Sequence, residues 1–414
     1  MQRIYNVLVN LSGVVLKSAG YFSKKLKEFT AGRTELFERL EASIDANEQY
    51  IWVHAASLGE FEMAVPVIKM FKSNYPTKKI VVSFFSPSGY KNKKKHELVD
   101  HFTYLPLDTQ KNAERFLNII DPEMAFFIKY DFWPNFLYAL KERKVRTFLV
   151  SGVFRKDQLF FKSYGKWMRD SLKAFEHFFV QNEESLQLLQ SVGFDNASLS
   201  GDTRFDRVAA QIESNNRIDF IEDFKGDELL MVCGSTWPED ESLMLDFINT
   251  SPDIKFIIAP HQIKEEKIRN LEESLNIPFA KFSTKEATDL KKARLLILDT
   301  IGLLGRAYSY ADIAYVGGAA GKTGLHNILE PATFGIPIII GENYKRFPEA
   351  EKLRQLAGLF SVGTAKDFTK ISEKLVKDKD FREKTGMISG HFVNSNTGAT
   401  GSLEKYLRED KNLI

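Results

Sequence analysis

Short apolar runs of strand length alternate with longer segments of helical period along the whole chain. Residues 50–54, 80–85, 124–128 and 147–150 are dense in aliphatic and aromatic side chains. Such runs are what strands buried on both faces require. Between them, 61–74 and 112–119 place apolar residues at the spacing of a helix face. The alternation predicts a parallel sheet wrapped by helices. After a polar stretch at 211–226 the pattern restarts, with apolar runs at 229–233, 255–259, 295–299, 313–316 and 337–340. Two doubly wound halves are therefore expected, joined by a hinge near 205–225, with a ligand cleft between them. A last helical stretch at 402–408 is expected to pack back on the first half. The expected division is an N-terminal segment 1–30, a first α/β domain 31–210, a second 211–395 and a C-terminal helix 396–414.

Composition changes this picture little. The chain has 414 residues, 43% hydrophobic and 27% charged, which is enough for two independent cores. A net charge of +2 argues against a nucleic-acid partner, which would call for a strong basic excess. The one cysteine, Cys233, lies in the apolar run 229–233 and reads as a core residue. It has no partner for an internal disulfide, which fits a reducing compartment. The start of the chain is unusual. No acid precedes Glu28, while Arg3, Lys17, Lys24, Lys25 and Lys27 are interleaved with Ile4, Val7, Leu8, Leu11 and Val15. The apolar run is short for a bilayer span, which needs about twenty residues. It reads as an amphipathic segment lying on an anionic membrane surface. A cleaved leader ending at Ser18-Ala19-Gly20 and a plain docking helix are the alternatives. The basic run of Lys91, Lys93, Lys94 and Lys95 reads as a solvated face.

Three loops at strand ends carry candidate chemistry. His54-Ala55-Ala56-Ser57-Leu58-Gly59-Glu60 runs from a strand into a helix. Glu60 falls in the first helical turn, where the macrodipole favours negative charge. A carboxylate there can accept a proton from an attacking hydroxyl, assistance worth about 10²–10⁴-fold. The same residue can also serve only to complement the helix dipole. Lys129-Tyr130-Asp131-Phe132-Trp133-Pro134-Asn135 offers Asp131 and Asn135 as polar contacts to a sugar. It equally describes a helix start with Pro134 in its first turn. The third loop follows the run 313–316 and contains Gly317, Gly318, Gly321, Asn327 and Glu330. Backbone N–H groups in such a turn can hold a phosphate. Glu330 can accept hydrogen bonds from ribose hydroxyls. Gly321-Lys322-Thr323 imitates the end of a P-loop, but a P-loop spaces its glycines one residue further apart. Ser235 and His261 close the first two strands of the second half, where nucleotide contacts are expected. No His, Cys and Asp combination has the spacing of a metal site.

Taken in this order, the stretches resemble the Kdo (3-deoxy-D-manno-octulosonic acid) transferase family over roughly residues 30–400. The most specific block runs from Asp299-Thr300 through Gly317-Gly318, His326-Asn327, Leu329-Glu330-Pro331 and Gly335-Ile336-Pro337. Ser57-Leu58-Gly59-Glu60 and Trp133-Pro134-Asn135 support it independently. The resemblance implies a GT-B fold and an inverting, metal-free transfer of Kdo from CMP-Kdo to a lipid A precursor, with no cofactor beyond the donor itself. It makes Glu60 the general base. It places CMP on Gly317, Gly318, Asn327 and Glu330, with Ser235 and His261 nearby, and acceptor or sugar contacts on Ser57, Asp131, Asn135 and Arg155. It also implies work at the cytoplasmic face of the inner membrane. Two departures stand out. Of the two acids the family has before Trp-Pro-Asn, Lys129 replaces the first and the shorter Asp131 the second, and Pro260 stands where the family has an arginine. The phosphate contact then falls to Arg155 or Lys264. The alternative functions are a GT-B glycosyltransferase or sugar-nucleotide epimerase with a UDP donor, and a non-catalytic membrane-surface binding protein.

Overall fold

The computed structural model describes residues 1–19, 23–92 and 96–409. Gly20 of the alternative leader site, Lys93, Lys94 and Lys95 of the basic run and the last five residues of the expected C-terminal helix lie outside them. The chain divides into two compact units, one of Met1–Arg207 with the residues from Thr397 onward, the other Val208–Asn396. In the first unit seven strands form one sheet. They are β1 (Tyr50–His54), β2 (Lys79–Phe84), β3 (His101–Tyr104), β4 (Pro122–Ile128), β5 (Arg146–Gly152), β6 (His177–Val180) and β7 (Ala197–Leu199). Their order across the sheet is β3, β2, β1, β4, β5, β6, β7, with parallel pairing throughout. The winding reverses between β1 and β4, and in open α/β sheets ligands bind at the carboxyl ends of the strands beside such a reversal.

The second unit repeats the scheme with β8 (Leu229–Thr236), β9 (Ile254–Pro260), β10 (Phe279–Lys281), β11 (Leu295–Ile297), β12 (Ile313–Val316), β13 (Ile338–Gly341) and β14 (Leu359–Val362). Here the order is β10, β11, β9, β8, β12, β13, β14, and the reversal falls between β8 and β12.

Alternate residues of the central strands feed opposite cores, as a sheet covered on both faces demands. Tyr50 and Trp52 join one cluster, Ile51 and Val53 the other. In the second unit Met231 and Cys233 separate from Leu230 and Val232 in the same way. Cys233 is fully buried, and burial raises its thiol well above the ordinary range, so it is an inert core residue.

The C-terminal helix Ala399–Glu409 closes one face of the first sheet. Leu403 and Leu407 are buried there, and Tyr406 lies 4.5 Å from the His177 ring. Asp206 fastens its start, accepting from the backbone N–H of Gly398 and of Thr400.

The N-terminal helix Gln2–Ala19 is docked by polar contacts. Tyr5 donates to the buried Asp108 at 2.6 Å, and Asn135 donates to Asn6 at 2.9 Å. Ile4, Val7, Leu8, Leu11 and Val15 lie at helix-face spacing and are all more than half exposed. The helix is thus amphipathic with its apolar stripe turned to solvent, the reverse of an ordinary docking helix. Among the described residues no helix is long and apolar enough to cross a membrane.

Candidate functional site

In the first unit the candidate residues gather at the carboxyl ends of β1, β4 and β5. Ser57 caps the helix Leu58–Asn74, accepting from the Gly59 N–H at 3.2 Å and donating to the Glu60 carboxylate. Sequence spacing Ser-x-x-Glu builds this arrangement locally, because the cap and the third helical residue face each other. Glu60 is left half-buried at the helix start, with Ser57 holding one oxygen.

Asp131 is held from below by a buried chain of side chains that the sequence does not announce. His54, the last residue of β1, has no exposed surface. Its Nε2 lies 2.6 Å from Asp131 Oδ2 and its Nδ1 2.8 Å from Ser83 Oγ. The Trp52 indole also donates to Ser83 Oγ, at 2.8 Å. Because an ionised carboxylate only accepts, the contact with Asp131 calls for a proton on His54 Nε2, aimed at that oxygen. Trp133 Nε1 donates to the same carboxylate oxygen at 2.8 Å. Asp131 keeps 24% of its side-chain surface exposed, so it is fixed and accessible together.

Asn135 does not join this group. It is 4% exposed, and its amide nitrogen is committed to the Asp108 carbonyl at 2.5 Å and to Asn6 at 2.9 Å. Its backbone N–H and that of Phe136 cap onto the Asp108 carboxylate, both at 3.1 Å. Asn135 therefore serves the helix start and the docking of the N-terminal helix, which corrects its expected role as a sugar contact. Asp108 is a residue the sequence reading missed. Burial pushes its carboxyl up to about 6 despite three donors. Arg155 is exposed, with its guanidinium carbon 5.5 Å from the Tyr130 ring.

Beside the N-terminal helix lies a cavity of about 410 Å³, lined by Gly13, Leu16, Phe29, Leu36, Phe37 and Leu107 among others. Arg33 borders it. Its guanidinium stacks 3.7 Å over Phe29 and donates to the carbonyls of Phe29, Phe85 and Leu105. Burial lowers Arg33 to about 9.

The second unit brings Ser235, His261, Gly317, Gly318, Asn327 and Glu330 to the carboxyl ends of β8, β9 and β12, at the reversal. The glycine turn differs from expectation. The Gly318 and Ala320 N–H groups donate to Asp240 at 2.8 and 3.2 Å, and the Gly317 N–H donates to the Gly234 carbonyl at 2.9 Å. These three donors are spent inside the protein and do not stand open for a phosphate. Asp240 has no exposed surface and also accepts from the Trp237 N–H at 2.9 Å and the Tyr315 hydroxyl at 2.8 Å.

The glycines are needed for close approach. A Cβ on Gly317 would meet the Ser235 carbonyl at 2.4 Å, and one on Gly318, whose φ is +96°, would meet the Gly324 carbonyl at 2.1 Å. Ser235 itself takes a left-handed φ of 55° where β8 shifts register, and it does not cap the following helix. Trp237 and Asp240 do that.

His261 stacks on Trp237 at 4.7 Å and on His326 at 4.5 Å. Trp237 Nε1 donates to His326 Nε2 at 3.3 Å. Burial and the neighbouring His261 lower His326 to about 4, so it stays neutral and accepts that bond. Asn327 makes a turn, accepting from the Leu329 N–H at 3.1 Å and donating to Glu330 at 3.2 Å. Trp237 was given no role in the sequence, where only its position just after β8 marks it; His326 stands in the block that carries the family resemblance but was given no role of its own. Among the described residues, no three His, Cys, Asp or Glu side chains converge as metal ligands would.

Residues 33–207 match the family described as 3-deoxy-D-manno-octulosonic-acid transferase (kdotransferase). The chain is 27% identical over 400 residues to a bifunctional glycosyltransferase/methyltransferase of Fusobacterium nucleatum, covering 92% of this chain and 60% of that protein. It is also 27% identical over 380 residues to the 3-deoxy-D-manno-octulosonic acid transferase of Haemophilus influenzae, covering 87% of each. Among solved structures, UDP-GlcNAc 2-epimerase from Neisseria meningitidis bound to UDP-GlcNAc superposes with a TM-score of 0.62 at 13% identity, covering 87% of this chain and 100% of that one. That likeness concerns the fold, which is GT-B, with two doubly wound parallel-sheet units. The first unit thus matches the 3-deoxy-D-manno-octulosonic acid (Kdo) transferase family over residues 33–207, and a Kdo transferase is similar to the chain over most of its length.

Proposed function

We propose that the protein moves Kdo from CMP-Kdo to a lipid A precursor, with inversion at the anomeric carbon. The observation that carries the reading is the Glu60 carboxylate, oriented by Ser57 at the helix start that follows β1, while Asp131 is fixed after the neighbouring β4. Glu60 takes the proton of an acceptor hydroxyl as its oxygen bonds to the anomeric carbon. The bond from that carbon to the CMP phosphate oxygen breaks, and CMP departs with the electron pair. Asp131 accepts a hydrogen bond from the sugar, and His54 keeps its carboxylate in place. In the second unit Ser235, His261, Gly317, Gly318, Asn327 and Glu330 surround the nucleotide. The phosphate is met there by side chains and by turn donors other than the Gly317, Gly318 and Ala320 amides. No resident cofactor takes part.

The lipid side of the reading rests on the N-terminal helix. Its outward Ile4, Val7, Leu8, Leu11 and Val15 lie in the acyl boundary of the inner membrane, at the cytoplasmic face. The neighbouring apolar cavity takes part of an acyl chain.

Glu60→Gln tests the chemistry. The variant is expected to keep protection by CMP against heat unfolding while transfer falls about 10²–10⁴-fold. Mass analysis of the lipid after incubation with CMP-Kdo reads the product directly. Protection by UDP but not by CMP would replace this reading with a UDP-dependent one.

A further inference from the structure

Two cations converge on one exposed ring at the carboxyl end of the first sheet. Lys129 Nζ lies 5.1 Å and the Arg155 guanidinium carbon 5.5 Å from the centre of Tyr130, which is 42% exposed. Lys129 follows β4, and Arg155 lies in the loop after the adjacent β5. The Lys129 backbone is held at a φ of +74°, a region costly for a residue with a Cβ, and its N–H donates to the Val150 carbonyl at 2.8 Å. Among the described residues no carboxylate forms an ion pair with either cation. The nearest acid in sequence, Asp131, is bonded to His54 and Trp133. Each cation is attracted to the ring, but neither has a carboxylate counter-charge among the described residues, so both remain available to an anion.

We propose that Lys129 and Arg155 form an anion site that takes a phosphate monoester of the lipid acceptor. A monoester near neutral pH carries close to two charges, which suits one point charge and one planar fork of donors. A single carboxylate is satisfied by one such cation. The site lies on the strand edge where α/β sheets receive ligands, in the unit that holds Glu60. It rests on the transferase reading for the identity of the lipid, not for the existence of the anion site.

The test uses the full chain and three variants, Lys129→Asn, Arg155→Gln and the double. Asparagine is chosen because it tolerates a left-handed φ. Binding to a phosphorylated, acylated glucosamine disaccharide and to its dephosphorylated form is measured in the same detergent micelles. Each single variant is expected to weaken binding of the phosphorylated lipid about tenfold and leave the dephosphorylated lipid unchanged. Unaltered thermal melting shows that the fold is intact. Equal affinity of wild type and double variant for the phosphorylated lipid overturns the proposal. So does a rise in KM for CMP-Kdo alone, which would assign the cations to the donor's carboxylate. If the wild type discriminates between the two lipids yet forms no Kdo product, the anion site stands and the transferase reading falls.

Discussion

Replacing Asp240 with asparagine isolates the device that shapes the glycine turn. The carboxylate is fully buried and accepts four hydrogen bonds, two per oxygen: Trp237 N–H and Gly318 N–H on Oδ2, Tyr315 O–H and Ala320 N–H on Oδ1. An asparagine keeps one acceptor oxygen, which goes to the side facing two backbone donors. Its NH2 then sits opposite Tyr315, which can rotate to accept, and opposite the Ala320 N–H, which cannot. One charge-assisted bond is lost outright, and the survivors lose the share due to charge. With about 1.5–3 kcal/mol for a bond to a charged group and about 1 for a neutral one, the loss comes to about 3–9 kcal/mol. Hydrogen exchange read by mass spectrometry over 313–320 is the direct assay, because the Gly318 and Ala320 amides are themselves the donors. Their protection is expected to fall at least a hundredfold, and CMP affinity to fall with it. Protection within threefold of wild type would show that the turn holds its shape without the charge, and the reasoning would be wrong.

Asp108 predicts a pH effect of definite sign. Its carboxyl is raised in the fold to about 6 from an ordinary value of 3.8, so the folded state binds the extra proton. Stability contributed by that proton is present at the acid end of the interval and is lost as pH rises from about 4 to about 6, by about 3 kcal/mol at most. Asp108→Asn should flatten the difference in urea midpoint across that window, and an unchanged slope counts against it. Leu8→Ser with Leu11→Ser should weaken partition onto anionic vesicles about a hundredfold, from roughly 1–1.5 kcal/mol per apolar side chain. Because both residues are exposed, the unfolding midpoint should move by less than about 0.5 kcal/mol equivalent. Vesicle binding that survives the double change would place the membrane contact elsewhere.

The central strands are legible in the sequence because they are buried on both faces and so are written as unbroken apolar runs. The peripheral ones are not. His101–Tyr104 is half polar, while Ala197–Leu199 and Phe279–Lys281 are three residues long, too short for any period to show. The loops at strand ends are found by the same rule that finds the strands. What the sequence hides is how acids are used. Asp240 in a first helical turn looks like a dipole complement, and only the approach of Tyr315 and the glycine turn, some 75–80 positions away, buries it. Asp108 and Asn135 look like loop polar residues until the N-terminal helix lays Tyr5 and Asn6 over them. The glycines at 317 and 318 are required, as their pattern implies, but by backbone crowding against Ser235 and Gly324. His54 reads as the end of a strand, and its tie to Asp131 spans two strands adjacent in the sheet but 77 positions apart in the chain.

The inside-out polarity of the helix Gln2–Ala19 separates two jobs that most helices combine. Its attachment is carried by Tyr5 and Asn6, so positions 4, 7, 8, 11 and 15 owe nothing to the interior. Those five sites form a free alphabet. A library randomised there should yield folded protein almost throughout, differing only in what the outer surface adheres to.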